Sequence, residues 1–318
     1  MALPSFLELP GSSTYRHPFY LYGMSSQNFF LRASYDRLKK VTDQWLNSVP
    51  GSEYKCVPLL PFVFCQPVWI DRIRWTPQDQ GWMRESDFNF GYFVACFKGL
   101  ELDHIAVVTA YLVVDNPLTV SSGREVFGYR KVFGSMEYVA GTYQPGAAST
   151  MVYKSYGPDA ELELAEIARI LAPPAYGAAT RQAKWEDLKE LAGLAIGDLV
   201  LDAVVAIEKL IEHFKSLNLW VLYLLQLRDV EDPTSAGYQA LIQSPMQITK
   251  THSMWRLPDG FKIQLTDYAS YPIISDLGIE VDANNIATVV QAFQMNFDCV
   301  LAPGKVLALA ERTAISAP

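Results

Sequence analysis

The stretch Ser122-Gly-Arg-Glu-Val-Phe-Gly-Tyr-Arg-Lys-Val-Phe-Gly134 places one lysine, Lys131, among valines and aromatic residues. Its alternation predicts a strand over Val126–Phe133, with side chains pointing in turn to two faces. The face of Lys131 then also carries three aromatic residues, Phe127, Tyr129 and Phe133. Removing an ammonium group from water lowers its pKa, and the free amine can form a Schiff base with a carbonyl compound. The alternative is an edge-strand lysine whose stem covers apolar surface while its ammonium stays in water.

This stretch resembles the lysine motif of the acetoacetate decarboxylase family. Gly123-Arg124-Glu125 matches the start of the motif, Tyr129 matches its aromatic position, and Lys131 falls on the lysine that forms the Schiff base. Arg130 replaces the motif's proline and Val132 replaces its second lysine. Lysines in such sites are activated by desolvation or by a neighbouring cation. Val132 carries no charge and strand alternation points Arg130 to the other face, so we expect desolvation to be the main activator of Lys131.

The resemblance extends weakly over most of the chain. Asp115-Asn116-Pro117 lies upstream of the lysine at the family spacing, and Arg84-Glu85-Ser86 resembles the segment that carries an active-site glutamate. The family's closing segment is matched by three short stretches: 271–277, 296–298 and 303–306. The resemblance implies an α+β fold, a closed, cone-shaped β-barrel with flanking helices, and a single domain over residues 1–318.

Glu85 is the second candidate catalytic residue, and it lies in a run with Trp82 and Phe88. A carboxylate near aromatic rings can have a raised pKa and can move protons. The alternative is a loop glutamate that pairs with Arg84 or with solvent, because ionised carboxylates usually stay at the surface.

Four further residues are candidates for binding substrate or supporting the site. Arg124 and Glu125 are adjacent, so in a strand they would point to opposite faces and brace the strand of Lys131 through buried charge partners. Tyr129 and Tyr111 are expected to contact the substrate or to support the lysine.

The periodicity of the chain predicts one helix near the start and then two groups of strands. Tyr35 to Trp45 has helical spacing. Strands are predicted for nine stretches: Val57–Val68, Phe88–Phe97, Ile105–Val114, Val126–Phe133, Met136–Thr142, Leu219–Arg228, Ala236–Ile242, Met246–Trp255 and Phe261–Leu265. Between the two groups, residues 158–217 are rich in alanine, leucine and glutamate. This block predicts a helical insertion of three helices, near 162–171, 185–195 and 199–214, that caps the barrel or forms an oligomer contact.

Composition excludes several classes of protein. The 318 residues carry a net charge of −8 with no basic run, so nucleic-acid binding has little support. No apolar stretch is long enough to cross a bilayer, and the first residues lack the pattern of a signal peptide. The four scattered cysteines predict reduced thiols and a cytoplasmic protein. Aromatic residues make up 13% of the chain and favour a large apolar pocket or a homo-oligomer interface.

No metal or cofactor is expected. The four histidines are far apart in the sequence, and neither a His-x-x-x-His nor a Cys-x-x-Cys pair occurs. Glycine-rich phosphate loops and Gly-x-Ser-x-Gly elbows are also missing from the sequence. The chemistry would need no added group, because a lysine imine is itself an electron sink.

Three functions remain open. The first is a lyase that decarboxylates a β-keto acid through a Lys131 iminium and enamine. The second is a Schiff-base aldolase, dehydratase or cyclase that acts on a natural-product precursor without decarboxylation. It gains support from Met24, which falls where the family carries an N-terminal arginine. The third is a non-catalytic relative that binds a small molecule, which an exposed and charged Lys131 would favour.

Overall fold

Strands, rather than helices, make up most of the described residues in a computed structural model that describes residues 17–75, 82–174, 180–184, 186–187, 190 and 218–311. The described residues contain fourteen strands: β1 (Phe19–Arg32), β2 (Tyr54–Pro58), β3 (Phe62–Arg74), β4 (Met83–Lys98), β5 (Glu101–Val114), β6 (Lys131–Tyr138), β7 (Pro145–Tyr153), β8 (Leu162–Leu171), β9 (Arg181–Gln182), β10 (Asn218–Arg228), β11 (Ala236–Arg256), β12 (Lys262–Leu265), β13 (Ile286–Leu301) and β14 (Lys305–Glu311). Three short α-helices accompany them: α1 (Tyr35–Trp45), α2 (Pro117–Ser122) and α3 (Ile273–Leu277). Among these residues, no helix has the length and apolar character needed to cross a membrane.

One sheet contains nearly all of these strands, in the order β14-β11-β10-β5-β6-β7-β8-β12-β13-β1-β3-β4-β2. Two additional pairings, β11 with β13 and β4 with β5, join strands that lie far apart in this order. Most pairs are antiparallel, whereas β5 pairs in parallel with both β6 and β10. The sheet therefore bends back on itself, and β4, β5 and β6 become direct neighbours.

Helix α1 forms where the sequence predicts it, over Tyr35–Trp45. Ser34 caps its first turn, since the Ser34 side chain accepts a hydrogen bond from the backbone N–H of Arg37. Leu38 and Val41, one turn apart, are buried in the main core. The helical spacing of its apolar residues thus turns one face of α1 toward the core.

The predicted strand over Val126–Phe133 is wrong in its first half. Residues Gly123–Phe127 form a single π-helical turn that continues from α2, and the strand begins only at Lys131. Phe133 is 54% exposed, so it does not share an apolar face with Lys131. A short alternating run cannot distinguish a strand from a helical turn followed by a strand, and here the glycine at 128 ends the turn.

The first helix of the predicted insertion is also wrong, because residues Leu162–Leu171 form strand β8. This strand pairs with β7 on one side and with β12 on the other. Hydrogen bonding to two neighbours overrides the helix propensity of its leucine, alanine and glutamate residues. The other two predicted helices, near 185–195 and 199–214, fall mostly outside the described residues.

Candidate active site

A π-helical turn lies just before β6, whose first residue is Lys131. Asn116 caps α2 by accepting a hydrogen bond from the backbone N–H of Leu118, and the π-helical turn Gly123–Phe127 follows directly. Gly128 ends this turn at φ 83°, a left-handed conformation that favours glycine. A Cβ atom at Gly128 would lie 2.6 Å from the Leu225 backbone, so only glycine also fits the packing against β10.

Gly123 makes room for the lysine side chain. A Cβ atom at Gly123 would lie 2.8 Å from Cδ of Lys131, closer than real contacts allow. Lys131 pairs with Leu112 on the parallel neighbour β5. The first glycine of the motif therefore has a physical role, which is to let the lysine stem pass the end of α2.

The amine of Lys131 meets the carboxylate of Glu85. The distance from Lys131 Nζ to Glu85 Oε1 is 2.6 Å, and the side chains are 11% and 2% exposed. Glu85 lies in β4, opposite Ile70 of β3, rather than in a loop. The two predicted catalytic residues, 46 positions apart in the sequence, are thus in direct contact in a buried place.

Asp87 is a third ionisable residue beside this pair, and no motif in the sequence marks it. It lies two residues after Glu85 in β4, so both side chains point to the same face of the strand. Its Oδ1 is buried and has no hydrogen-bond partner among the described residues. The spacing of two in a strand is the signal that could have identified it, had Glu85 been assigned to a strand.

The close contacts shift the protonation of Lys131 and of Asp87. Burial opposes the charge of Lys131, but the carboxylates of Glu85 and then Asp87 favour it more strongly, so the pKa of Lys131 lies above its ordinary value. Desolvation is the largest single influence on this pKa, as expected, but the two carboxyl groups together outweigh it, so the amine of the ligand-free protein stays protonated. Burial, followed by the charge of Glu85, holds the pKa of Asp87 well above its usual range. The arrangement that fits these directions is a Lys131–Glu85 ion pair beside a protonated Asp87.

These residues line a cavity of about 390 Å³. That volume lies in the range of pockets for small molecules and cofactors, about 300–1,000 Å³. Most of the lining is aliphatic, aromatic or methionine, and Lys131 is the only cation among the lining residues that the structure describes. Met24, which the resemblance aligns near the family's arginine, also lines the cavity and contacts Cys299. The cavity therefore offers an amine and two carboxyl groups within an apolar wall.

Tyr129 and Phe127 line the same cavity. The Tyr129 ring lies 4.0 Å from the ring of Tyr223, measured between centroids, and its own centroid is 5.7 Å from Lys131 Nζ. Burial raises the pKa of Tyr129 to about 12. Tyr129 is therefore a neutral phenol beside the amine.

The other predicted residues lie elsewhere. Arg124 and Glu125 are exposed on the π-helical turn, so they do not form buried partners that brace a strand. Tyr111 is not among the cavity-lining residues, and it donates a hydrogen bond of 2.6 Å to Asp276 of α3. Arg130 stacks on the Trp45 ring at 4.0 Å, outside the cavity lining.

Comparisons with known proteins bear on the fold. No family model matches the sequence, and no curated protein matches it. Among solved structures, acetoacetate decarboxylase from Legionella pneumophila superposes with a TM-score of 0.61 at 16% identity, covering 97% of this chain and 93% of that one.

Two further solved structures resemble the chain. An acetoacetate decarboxylase-like enzyme from Sphingomonas wittichii gives a TM-score of 0.57 at 11% identity, covering 97% of this chain and 100% of that one. The enduracididine biosynthesis enzyme MppR, in complex with a condensation product of pyruvate and imidazole 4-carboxaldehyde, gives 0.55 at 11% identity, covering 97% and 98%. The similarity thus extends over nearly the whole chain and concerns the fold. The chain therefore shares the fold of these acetoacetate decarboxylase and acetoacetate decarboxylase-like structures, as the resemblance at Lys131 predicted.

Proposed function

We propose that this chain is a Schiff-base-forming carbon–carbon lyase in which Lys131 attacks the carbonyl group of its substrate. The observation that carries the proposal is the 2.6 Å contact between Lys131 Nζ and Glu85 Oε1 inside an apolar cavity. The fold neighbours support it, since they are named as acetoacetate decarboxylases and as MppR, which was solved with pyruvate bound. The binding-only alternative predicts an exposed lysine, whereas the Lys131 side chain is only 11% exposed, which argues against that alternative.

In the proposed reaction, Glu85 takes a proton from the Lys131 ammonium group as the substrate displaces water from the cavity. Loss of water disfavours separated charges, so the proton-transfer equilibrium shifts from the ion pair toward the neutral amine and the carboxylic acid. The free amine then attacks the carbonyl carbon. The carbonyl oxygen leaves as water after taking one proton from the attacking nitrogen and one from the protonated Glu85, and the nitrogen keeps its remaining hydrogen as an iminium cation.

Decarboxylation of a β-keto acid is the reaction that we place first. The electrons of the bond to the carboxylate carbon move toward the iminium nitrogen, which releases CO2 and gives a neutral enamine. An apolar cavity favours this step because a cation and an anion become two neutral groups. We assign the return of a proton to the enamine carbon to the protonated Asp87, which lines the cavity on the same face of β4 as Glu85, and water then releases the ketone from Lys131.

A second reaction type, aldol cleavage, dehydration or cyclisation without decarboxylation, is favoured by the charges of the lining. Glu85 and Asp87 are the two acidic residues there, and Lys131 is the lone cation among the described lining residues. Because Lys131 is already paired with Glu85, the described lining leaves no unpaired positive charge to bind an anionic substrate. The same enamine can add to, or eliminate from, a neutral carbonyl compound.

Borohydride trapping tests the proposal. The wild type and a Lys131→Ala variant would be incubated with β-keto acids, ketones and aldehydes, reduced with borohydride and measured by intact mass. We expect an adduct in the wild type alone. An adduct that lacks the mass of CO2, with CO2 release, indicates the decarboxylase, and an adduct that keeps the whole substrate indicates the second reaction type. No adduct with any carbonyl compound would contradict both.

We further propose that the chain assembles as a homo-oligomer and that its sheet closes into the cone-shaped barrel of its fold neighbours. The β4–β5 and β11–β13 pairings support closure. Exposed apolar residues on three adjacent strands support assembly: Phe133, Met151 and Leu164. Sedimentation of the purified chain tests the oligomer, and a monomer at all concentrations would contradict it.

A further inference from the structure

The cavity continues far beyond the Lys131–Glu85 pair. Along β4, its lining residues run from Met83 to Phe93, which is roughly 30 Å at about 3.3 Å per residue. Glu85 lies near one end of this run. A substrate as small as a four-carbon keto acid would therefore leave most of the lining without contacts.

The end of the cavity farthest from Glu85 is aromatic. The rings of Phe64 and Phe93 are 5.7 Å apart between centroids, and those of Phe30 and Phe293 are 6.3 Å apart. All four line the cavity, and Val107 of β5 faces Phe93. Such a wall is suited to an apolar chain or ring, because burying apolar surface there is favourable.

Between the amine and this aromatic end lies a network of polar side chains, the amide belt: Ser26, Asn28, Gln66 and Asn89. Gln66 donates to Ser26 Oγ and Asn28 Oδ1, and Asn89 Nδ2 donates to Gln66 Oε1. These bonds fix the orientation of the Asn89 amide and leave its Oδ1 buried without a partner among the described residues. A buried acceptor without a donor is unfavourable, and a ligand hydroxyl would supply the donor.

We infer that the cavity takes an elongated, largely apolar ketone or keto acid with a hydroxyl group near the amide belt, an inference that rests on the proposed Schiff-base function. The carbonyl group lies at Lys131, the hydroxyl faces Asn89 and the apolar remainder extends between the phenylalanine rings. Asn89 follows Asp87 by two residues and Glu85 by four in β4. The hydroxyl is thus roughly 7–13 Å from the reacting carbon.

Three methyl ketones test the inference. For each ketone, the measured quantity is the concentration at which formation of the borohydride-trapped adduct on Lys131 is half-maximal. The three ketones are methyl ethyl ketone, methyl nonyl ketone and the nonyl ketone with a hydroxyl at the far end of its chain. We expect the nonyl ketone to half-saturate at a concentration at least about tenfold lower than the ethyl ketone, since each buried methylene contributes. The hydroxylated ketone should half-saturate adduct formation at the same concentration as the nonyl ketone or at a lower one, because its hydroxyl finds a hydrogen-bond partner.

Two variants locate the effect. Val68→Phe narrows the cavity beside Asp87, within reach of the nonyl chain, and should abolish the advantage of the nonyl ketone, whereas Val230→Phe, the same change at a 97% exposed residue, should keep it. Asn89→Leu should raise the half-saturating concentration of the hydroxylated ketone about tenfold relative to that of the nonyl ketone. Adduct formation with methyl ethyl ketone should persist in every variant, which also reports that each is folded.

The outcomes separate the inference from the function on which it rests. If all three ketones label Lys131 equally well, the elongated substrate is wrong and the Schiff-base function stands. If chain length matters but the hydroxyl weakens labelling in the wild type, the role of the amide belt is overturned. If no ketone or keto acid labels Lys131, both proposals fail.

Discussion

Lys131 and Arg130 are neighbours in the sequence, yet they lie in opposite surroundings. Lys131 contacts Glu85 in a cavity, whereas the exposed Arg130 stacks on Trp45 and lies 5.4 Å from the Tyr111 ring centroid. Carboxylates surround the first cation and aromatic faces support the second. The difference teaches that a positive charge becomes a candidate for chemistry through what faces it, and adjacent residues can differ completely in this.

The largest effect that separates the two regions should come from removing each cation in turn. Lys131→Met deletes the amine and should lower turnover of any substrate by about a thousandfold or more, with loss of the trapped adduct. Arg130→Met, the matched change next to it, removes only a stacking contact and should keep the adduct. Steady-state rates and intact masses measure both. Equal losses in the two variants would erase the proposed division between the regions.

The next effect concerns the carboxylate that accepts the lysine proton. Glu85→Gln should lower turnover about a hundredfold, the lower end of the usual contribution of acid–base catalysis. It also removes the main negative charge that raises the pKa of Lys131. Because only the free amine attacks, the rise of adduct formation with pH should move to lower pH. Rates of adduct formation across a pH series measure this shift, and Glu125→Gln, at an exposed glutamate, is the control. An unshifted profile would argue against the ion pair.

The third prediction concerns Asp87, where one substitution should raise the stability of the protein and lower its activity. Its folded pKa is raised, so the folded state holds this proton more tightly than the unfolded chain does. The stability from that proton is complete below the ordinary aspartate pKa and declines as pH rises toward the folded value. Asp87→Asn avoids the decline, and near neutral pH it should be more stable than the wild type by about 1–3 kcal/mol.

Urea unfolding of both proteins near pH 4 and near pH 7 measures this difference, which should be larger at the higher pH. The same variant should slow enamine protonation about tenfold or more, because the amide has no acidic proton to give. A variant that is both less stable and fully active would contradict the assignment of Asp87 as a protonated donor.

The smallest effect should come from the region around Arg130. Tyr111→Phe removes the hydrogen bond to Asp276 and should cost about 1 kcal/mol of the free energy of unfolding. It should leave adduct formation at Lys131 unchanged, because Tyr111 lies outside the cavity lining. Thermal or urea unfolding measures the loss, with Tyr156→Phe at a 72% exposed tyrosine as control. A large loss of labelling would mean that the two regions are coupled.

The sequence by itself determined the local features. The helix over Tyr35–Trp45 follows from its spacing, the lysine stands out in an apolar run, and the motif around it predicted the fold. The predicted strands Phe88–Phe97, Ile105–Val114 and Leu219–Arg228 lie within β4, β5 and β10. Each of these signals depends on residues close together in the chain, where periodicity and turn residues act directly.

Only the tertiary structure decided which residues meet. Asp87 lies near Lys131 because β4 and β6 both adjoin β5. Tyr111 lies outside the cavity because its side chain points to the opposite side of β5 from Leu112. The π-helical turn depends on close packing of Gly128 against β10, about a hundred residues later in the chain. Strand β8 forms because two neighbours bond to it. All of these outcomes depend on strand order, which long-range pairing sets and which no local pattern carries.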